Sequence, residues 1–396
     1  MIKKFPSFLI VLVVVVFALA SCAPAATVAP TAPAAPADTA VPAATVAAPA
    51  DTAAPAATTA AAAAPTSTSI ANAPATPGTV VMKGYASDTP VTDFNPTGLK
   101  ANKNYTIAVV VKSQTAPVWE SHLIAAEKAG KDMGVTILTY APTSADNVGE
   151  QTSMLEDIAT KGVDCVVLAP ANSAAVQAPV AALVAKGIPV VYDNTLGAGD
   201  DYLSFVGVDS TAAGTLVAKT IAEKMGGKGK LLILEGVPGQ QTSDDRVKAA
   251  KAELAANWPG ITYKDVVANW LFDQGQKAAE DTLQSWPDLG GIVSFGGNSS
   301  EGAAEAVAAA GKSSQVIIGA FDVQAPTVAD LKSGKEAFTI SQNVYDQGYF
   351  SVAACVMALN GQVPPRQIRT PLFLVNAADA AKFDESPDAL KARTGF

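Results

Sequence analysis

Between residues 106 and 341, short apolar runs alternate with segments of helical period, and the whole alternation occurs twice. Runs at 106–111, 136–140, 165–169 and 189–193 are separated by helix-period segments at 119–133, 148–160 and 174–186. A second series follows, with runs at 230–235, 262–268, 291–295, 316–321 and 338–341 and helical segments at 244–257, 274–284, 302–310 and 327–332. In the segment that opens at Trp119, Leu123, Ala126 and Met133 fall with Trp119 on one stripe. The runs are apolar throughout, as in Cys165-Val166-Val167-Leu168, which is the pattern of strands covered by helices on both faces. The chain is therefore predicted to be α/β, with two doubly wound parallel-sheet lobes. Pro179 inside a helical pattern predicts a kink or a late helix start. In open α/β sheets the ligand lies off the carboxyl ends of the strands, so two such lobes predict a cleft lined by strand-end loops from both.

Several chemistries are excluded by what the sequence lacks. There is one histidine, His122, so a His-based metal centre or catalytic triad is not expected, and no cofactor is expected either. HExxH, G-x-S-x-G and CxxC do not occur. Gly311-Lys312-Ser313 fails as a phosphate loop, because position 306 is alanine and a helix, not a strand, precedes it. Gly226-Gly227-Lys228-Gly229 reads as a turn between helix and strand. A net charge of −9 argues against nucleic acid as a partner. Cys165 and Cys355 both sit in apolar runs and read as small buried hydrophobes rather than as a bridge.

The N-terminus carries a different message. Lys3 and Lys4 precede an apolar run at 8–19, followed at once by Leu19-Ala20-Ser21-Cys22. A basic start, a short apolar region and small residues before a cut site make a secretory signal. The run is shorter than the ~20 residues a membrane-spanning helix needs. Its end resembles a bacterial lipobox, which implies a lipoprotein signal at 1–22 and an acylated Cys22 that anchors the chain on the outer face of a membrane. Residues 23–100 are predicted to be a disordered Ala/Pro/Thr-rich linker, of which 23–81 alone would reach between ~40 Å as a coil and ~180 Å as polyproline II. Order is predicted to begin near Asn104.

Candidate ligand contacts gather at the predicted strand ends. Trp119 follows the loop at 114–117, and Trp270 follows the run that ends near Ala268. An aromatic ring there offers a flat apolar face to the C–H face of a sugar. Trp258 and Trp286 each precede a proline at a helix end and read as packing residues. Asp193 and Asn194 close the fourth run, Arg246 opens a helix of the second series, Asp322 closes the run at 316–321, and Gln342 ends the run at 338–341. Ionised Asp accepts from two hydroxyls, Arg donates in a fixed fork and Gln does both, which suits a neutral polyhydroxylated ligand. Asp193 and Asp322 could alternatively form the carboxylate pair of a glycoside hydrolase.

From about Asn104 to Phe383 the chain resembles bacterial sugar-binding proteins of ABC importers, of the ribose-binding type. The resemblance rests on Thr106-Ile107-Ala108-Val109-Val110, Gly162-Val163-Asp164, Leu168-Ala169-Pro170, Gly187-Ile188-Pro189-Val190-Val191, Gly319-Ala320-Phe321-Asp322 and Thr339-Ile340-Ser341-Gln342. It implies the type I periplasmic binding protein fold, with lobes joined by a three-strand hinge. The chain should cross between lobes near Asp209, after Gln342 and near Arg369. That places 104–209 and 344–368 in the N-terminal lobe and 210–343 and 369–396 in the C-terminal lobe. By position, the resemblance implies ligand contacts at Trp119, Asp193, Asn194, Arg246, Trp270, Asp322 and Gln342. Ala169 and Gly296 stand where the family commonly has asparagine, with Asn298 two residues after Gly296 as a further candidate contact. The implied function is capture of a monosaccharide or polyol and delivery to the permease subunits of an ABC importer, by a monomer without enzymatic activity. A sensor presenting its ligand to a membrane receptor is the alternative. Sugar-responsive repressors share the fold but carry a DNA-reading helix-turn-helix where this chain has a signal and a spacer.

Overall fold

The structure, a computed structural model, describes residues 78–87 and 89–395. One sheet contains β1 (Thr106–Val110), β2 (Thr136–Tyr140), β3 (Cys165–Leu168), β4 (Val190–Asp193), β5 (Ser204–Gly207) and β11 (Gln367–Arg369), in the order β11-β5-β4-β3-β1-β2. The other contains β6 (Lys228–Glu235), β7 (Gly260–Val267), β8 (Leu289–Ser294), β9 (Ile317–Phe321), β10 (Phe338–Ser341) and β12 (Phe373–Val375), in the order β12-β10-β9-β8-β6-β7. All pairs are parallel except β10 with β12. The helices among the described residues are α1 (Pro117–Met133), α2 (Val148–Ile158), α3 (Gln177–Ala185), α4 (Ser210–Lys224), α5 (Gln241–Asn257), α6 (Phe272–Ser285), α7 (Gly297–Ala309), α8 (Ala325–Ser333), α9 (Val344–Leu359) and α10 (Pro387–Thr394). The predicted α/β architecture of two parallel-sheet lobes is what the chain adopts.

Side-chain alternation along each central strand explains why the apolar runs are continuous. On β1, Ile107 and Val109 enter one core with residues of α1 and α9, while Ala108 and Val110 enter a second with residues of α2 and α3. On β6, Leu231 and Ile233 face the α4–α5 side, and Leu232 and Leu234 face α6 and α7. Both faces of each sheet are thus buried, and a polar residue on either side would lose its water. Pro117 starts α1 at a position whose N–H has no helical partner. Pro179 proves to mark a late start: α3 begins at Gln177, with the proline in its first turn.

The chain passes between the sheets three times, from β5 to α4 and β6, from β10 to α9 and β11, and from β11 to β12. These passages are bonded to one another. Thr370 N donates to Gly207 O at 3.2 Å, and Thr370 Oγ1 donates to Gln342 O at 3.2 Å. Asp209 caps α4 by accepting from Ala212 N at 2.9 Å.

Three expectations need correction. First, Cys165 on β3 and Cys355 on α9 form a disulfide, with Cα atoms 6.0 Å apart across 190 residues of sequence. Both are fully buried, as expected, but as a bridge within the core of the first lobe. Second, the predicted linker at 23–100 ends too late. Val81 N bonds to Ala358 O, Tyr85 and Val91 bridge Pro365 and Ile368, and Phe94 is buried edge-on against Phe350, with ring centroids 5.2 Å apart. This segment covers β11, which would otherwise be an open sheet edge. The signal, Cys22 and most of the linker lie outside the described residues. Third, α10, expected in the C-terminal lobe, packs on α1 of the first lobe, where Lys391 Nζ reaches Glu120 at 3.1 Å.

Candidate ligand-binding site

One cavity opens between the carboxyl ends of the two sets of strands. The first sheet contributes Lys112 and Ser113 after β1, Trp119 in the first turn of α1, Asp146 after β2 and Asn194 after β4. The second contributes Arg246 of α5, Trp270 after β7, Asn298 and Glu301 of α7, and Asp322, Gln324 and Gln342 after β9 and β10. Trp119, Asn194, Arg246, Trp270, Asn298, Asp322 and Gln342, all expected from sequence, are brought together here. Trp258 and Trp286 sit at the C-terminal caps of α5 and α6, away from the cavity.

The two walls touch. Lys112 Nζ donates to Gln240 Oε1 of the opposite wall at 2.9 Å, and Gln240 Nε2 donates to Asp146 at 2.6 Å. Thr195 and Thr242 hydroxyls lie 2.8 Å apart, and Ser173 N donates to Gly239 O at 2.9 Å. The lobes are therefore drawn together around the cavity, in the closed arrangement of a hinged pair.

On the second wall the polar groups form a chain. Arg246 Nη2 donates to Gln342 Oε1 at 2.6 Å, and Gln342 Nε2 donates to Asp322 Oδ1 at 2.6 Å. Arg246 also donates to Phe295 O at 3.2 Å and stacks on the Phe321 ring at 4.4 Å. Burial lowers its pKa to about 10, against the pull of Asp322. Burial raises the Asp322 carboxyl above its usual range, while Gln342 and Arg246 hold it down. Glu301 is pushed up to about 7 by burial and then by Asp330 and Asp322.

Trp270 has a seat built from absent side chains. A Cβ at Gly236 would lie 1.9 Å from its ring, and a Cβ at Gly296 would lie 2.8 Å away. Glycine at 296, a departure from the family pattern, is thus what lets the indole lie against the end of β8. Trp270 Nε1 donates to Gln240 Oε1 at 3.1 Å, which fixes the ring in its plane. The backbone here is strained. Asp146, Asn194, Asn269, Trp270 and Asp322 all line the cavity with positive φ, between 48° and 68°. Left-handed conformations of such residues cost ~1–3 kcal/mol each and concentrate at binding sites.

One expected contact is elsewhere. Asp193 does not line the cavity: its Oδ2 is bonded to His122 Nε2 of α1, and both side chains are buried. A buried carboxylate turns to whatever donor can share its charge, and α1 supplies one. Conversely, Lys112, Asp146, Gln240 and Glu301 were not anticipated. Lys112 Nζ donates to Thr195 Oγ1 at 2.6 Å as well as to Gln240, and burial lowers its pKa to about 8. Its signal in the sequence is a lone charge directly after the apolar run that ends at Val111.

A strand-end cavity between two doubly wound lobes joined by three passages is matched by a known family. Residues 107–362 fit the family model described as periplasmic binding protein domain. The chain belongs to the periplasmic binding protein family. The chain is 27% identical to the ribose import binding protein of Bacillus subtilis over 279 residues, 70% of this chain and 90% of that protein. It is 28% identical to the D-allose-binding periplasmic protein of Escherichia coli over 275 residues, 65% of this chain and 86% of that one. Among solved structures, an ABC transporter solute-binding protein from Agrobacterium vitis bound to α-D-tagatopyranose superposes with a TM-score of 0.68 at 27% identity, covering 71% of this chain and 99% of that one. Membership implies that this binding protein works outside the cytoplasm.

Proposed function

We propose that this binding protein captures a neutral monosaccharide or polyol between its lobes and delivers it to the permease of an ABC importer, without changing it chemically. The observation that carries the reading is a single cavity lined by two tryptophans from opposite walls together with Lys112, Arg246, Asp322 and Gln342. Stacking surfaces grip a ring, and paired charges and amides read its hydroxyls. The sugars named for the relatives, ribose and allose, are of this class. The turn of Asp193 toward His122 supports a binder over a hydrolase, since it leaves Asp322 without that carboxylate as its pair. The chain acts as a monomer tethered through acylated Cys22, and the spacer lets it reach the permease from the membrane surface. Nucleic acid has no place in this role.

The test is calorimetry of the purified protein with D-ribose, D-allose, D-tagatose, D-arabinose and glycerol, with mass spectrometry of any ligand that copurifies. At least one should bind and be recovered unchanged. Failure of every neutral sugar, or release of product from a disaccharide, overturns the reading. Cys22→Ala should release the protein from membranes, and an unchanged membrane fraction would remove the anchor from the proposal.

A further inference from the structure

The buried His122–Asp193 pair lies just behind the first wall. His122 is fully buried on α1, and Asp193, the last residue of β4, is equally enclosed. Nε2 of the ring meets Asp193 Oδ2, while Nδ1 of the ring and Oδ1 of the carboxylate have no hydrogen-bond partner. The same ring packs on Trp119, with centroids 5.6 Å apart, and Lys112 Nζ stands 5.5 Å from the Trp119 ring. His122 therefore touches one cavity-lining residue and holds the carboxylate that would otherwise turn to another. Asp193 is close enough to Lys112 for its charge to act on the ammonium.

We propose that His122 is a positioning residue: it keeps Asp193 away from the ligand and leaves Lys112 as the cationic contact on the first wall. An ammonium has three protons to donate. Thr195 and Gln240 take two, and the third is available to a ligand oxygen. The first wall then presents the Lys112 ammonium beside the Asp146 carboxylate, where a free Asp193 would add a second acidic acceptor. Without His122, the buried Asp193 has Lys112 within electrostatic reach, and turning there would pull the ammonium from Thr195 and Gln240. The ligand preference of the cleft is thereby set by a side chain that never touches the ligand.

This inference rests on the sugar-binding reading above, and its test separates the two. For whichever sugar of the panel binds most tightly, Asp193→Asn should leave affinity within about threefold of wild type, whereas Lys112→Met should lower it tenfold or more. His122→Leu, which strands Asp193, should also cost about tenfold. His122→Leu with Asp193→Leu should restore affinity to within about threefold, as should His122→Gln, which keeps a donor and covers the case in which the leucine variant does not fold. An Asp193→Asn loss as large as that of Lys112→Met, or a double variant as weak as His122→Leu, would overturn the proposal. Should no sugar bind, the reading under Proposed function fails by itself, and the pair is still read directly. His122 is the chain's one histidine, so ¹⁵N-histidine labelling gives a single imidazole. Its ring nitrogen signals should move on Asp193→Asn, and unmoved signals would overturn the pairing.

Discussion

The two walls of the cleft start from the same architecture and dispose of their charges in opposite ways. On each, an aspartate closes a central parallel strand: Asp193 as the last residue of β4 and Asp322 directly after β9. Asp322 stays in the cavity, because Gln342 bonds it there and the Arg246 charge favours it. Asp193 leaves, because a helix behind it offers His122. The cations differ too. Arg246 has a fork that remains charged at any working pH, while burial brings Lys112 down to about 8 in spite of the pull of Asp146 and Asp193. The position of a residue at a strand end decides whether it can reach a ligand, and its buried neighbours decide whether it does. The cation of one wall stays charged, while that of the other titrates at about 8.

That contrast can be broken most directly at Arg246. Arg246→Met leaves Asp322 buried without its cation, a change that costs ~3–5 kcal/mol in buried pairs. Calorimetry should show affinity reduced at least a hundredfold, well beyond the loss from Lys112→Met. The reverse order would mean that the first wall, not the second, carries the binding energy. The next effect separates support from recognition. Replacing both Cys165 and Cys355 by alanine removes a tie found only in the first lobe among the described residues. Denaturant unfolding should show a stability loss of ~2–4 kcal/mol, with affinity unchanged within twofold. A large affinity loss would show that the bridge shapes the first wall rather than bracing it.

A smaller effect tests the two aromatic seats. Gly296→Ala pushes a Cβ against the Trp270 ring and should weaken every ring-shaped ligand by about five- to tenfold. Trp119→Phe, on the softer seat beside His122, should cost about threefold or less. Equal losses would erase the distinction. The smallest effect is the titration itself. Lys112 is charged below about 8 and neutral above it, and a bound ligand oxygen favours the ammonium, so affinity should fall by a few-fold as pH rises from 7 to 9. Glu301, pushed up to about 7, also faces the cavity, so the comparison is with Lys112→Met, whose profile should be flatter over that window. A wild-type profile that matches the variant's would remove Lys112 from the contact set.

Much of this was legible in the sequence, for a physical reason. Strands buried on both faces write their positions as unbroken apolar runs, and the residues just after them lie at the cleft edge, which makes Trp270, Asp322 and Gln342 readable. What escaped depends on pairing across long separations. Nothing local in the sequence announces that Cys165 meets Cys355, or that His122 meets Asp193. Lys112 and Glu301 escaped because a charge is ordinarily a surface residue, and only the closed cavity reveals Lys112 as buried and Glu301 as half-buried. The strands β5, β11 and β12 are three or four residues long, too short to show a period. Residues 81–99 scatter their apolar side chains among prolines and glycines, so the cover they form over β11 has no pattern to read.

The three passages between the sheets also set an order of assembly. Strands β6 to β10 run without interruption, so the second sheet needs only the short β12 from beyond residue 341. The first sheet, begun at Thr106, waits for α9 to cover one face and for β11 to close its row. In a chain delivered N-terminus first, the half that emerges earliest is the half that must finish late, with one face of its sheet short of its α9 cover for more than a hundred residues of synthesis. The first lobe is therefore the one left incomplete longest while the chain is being made.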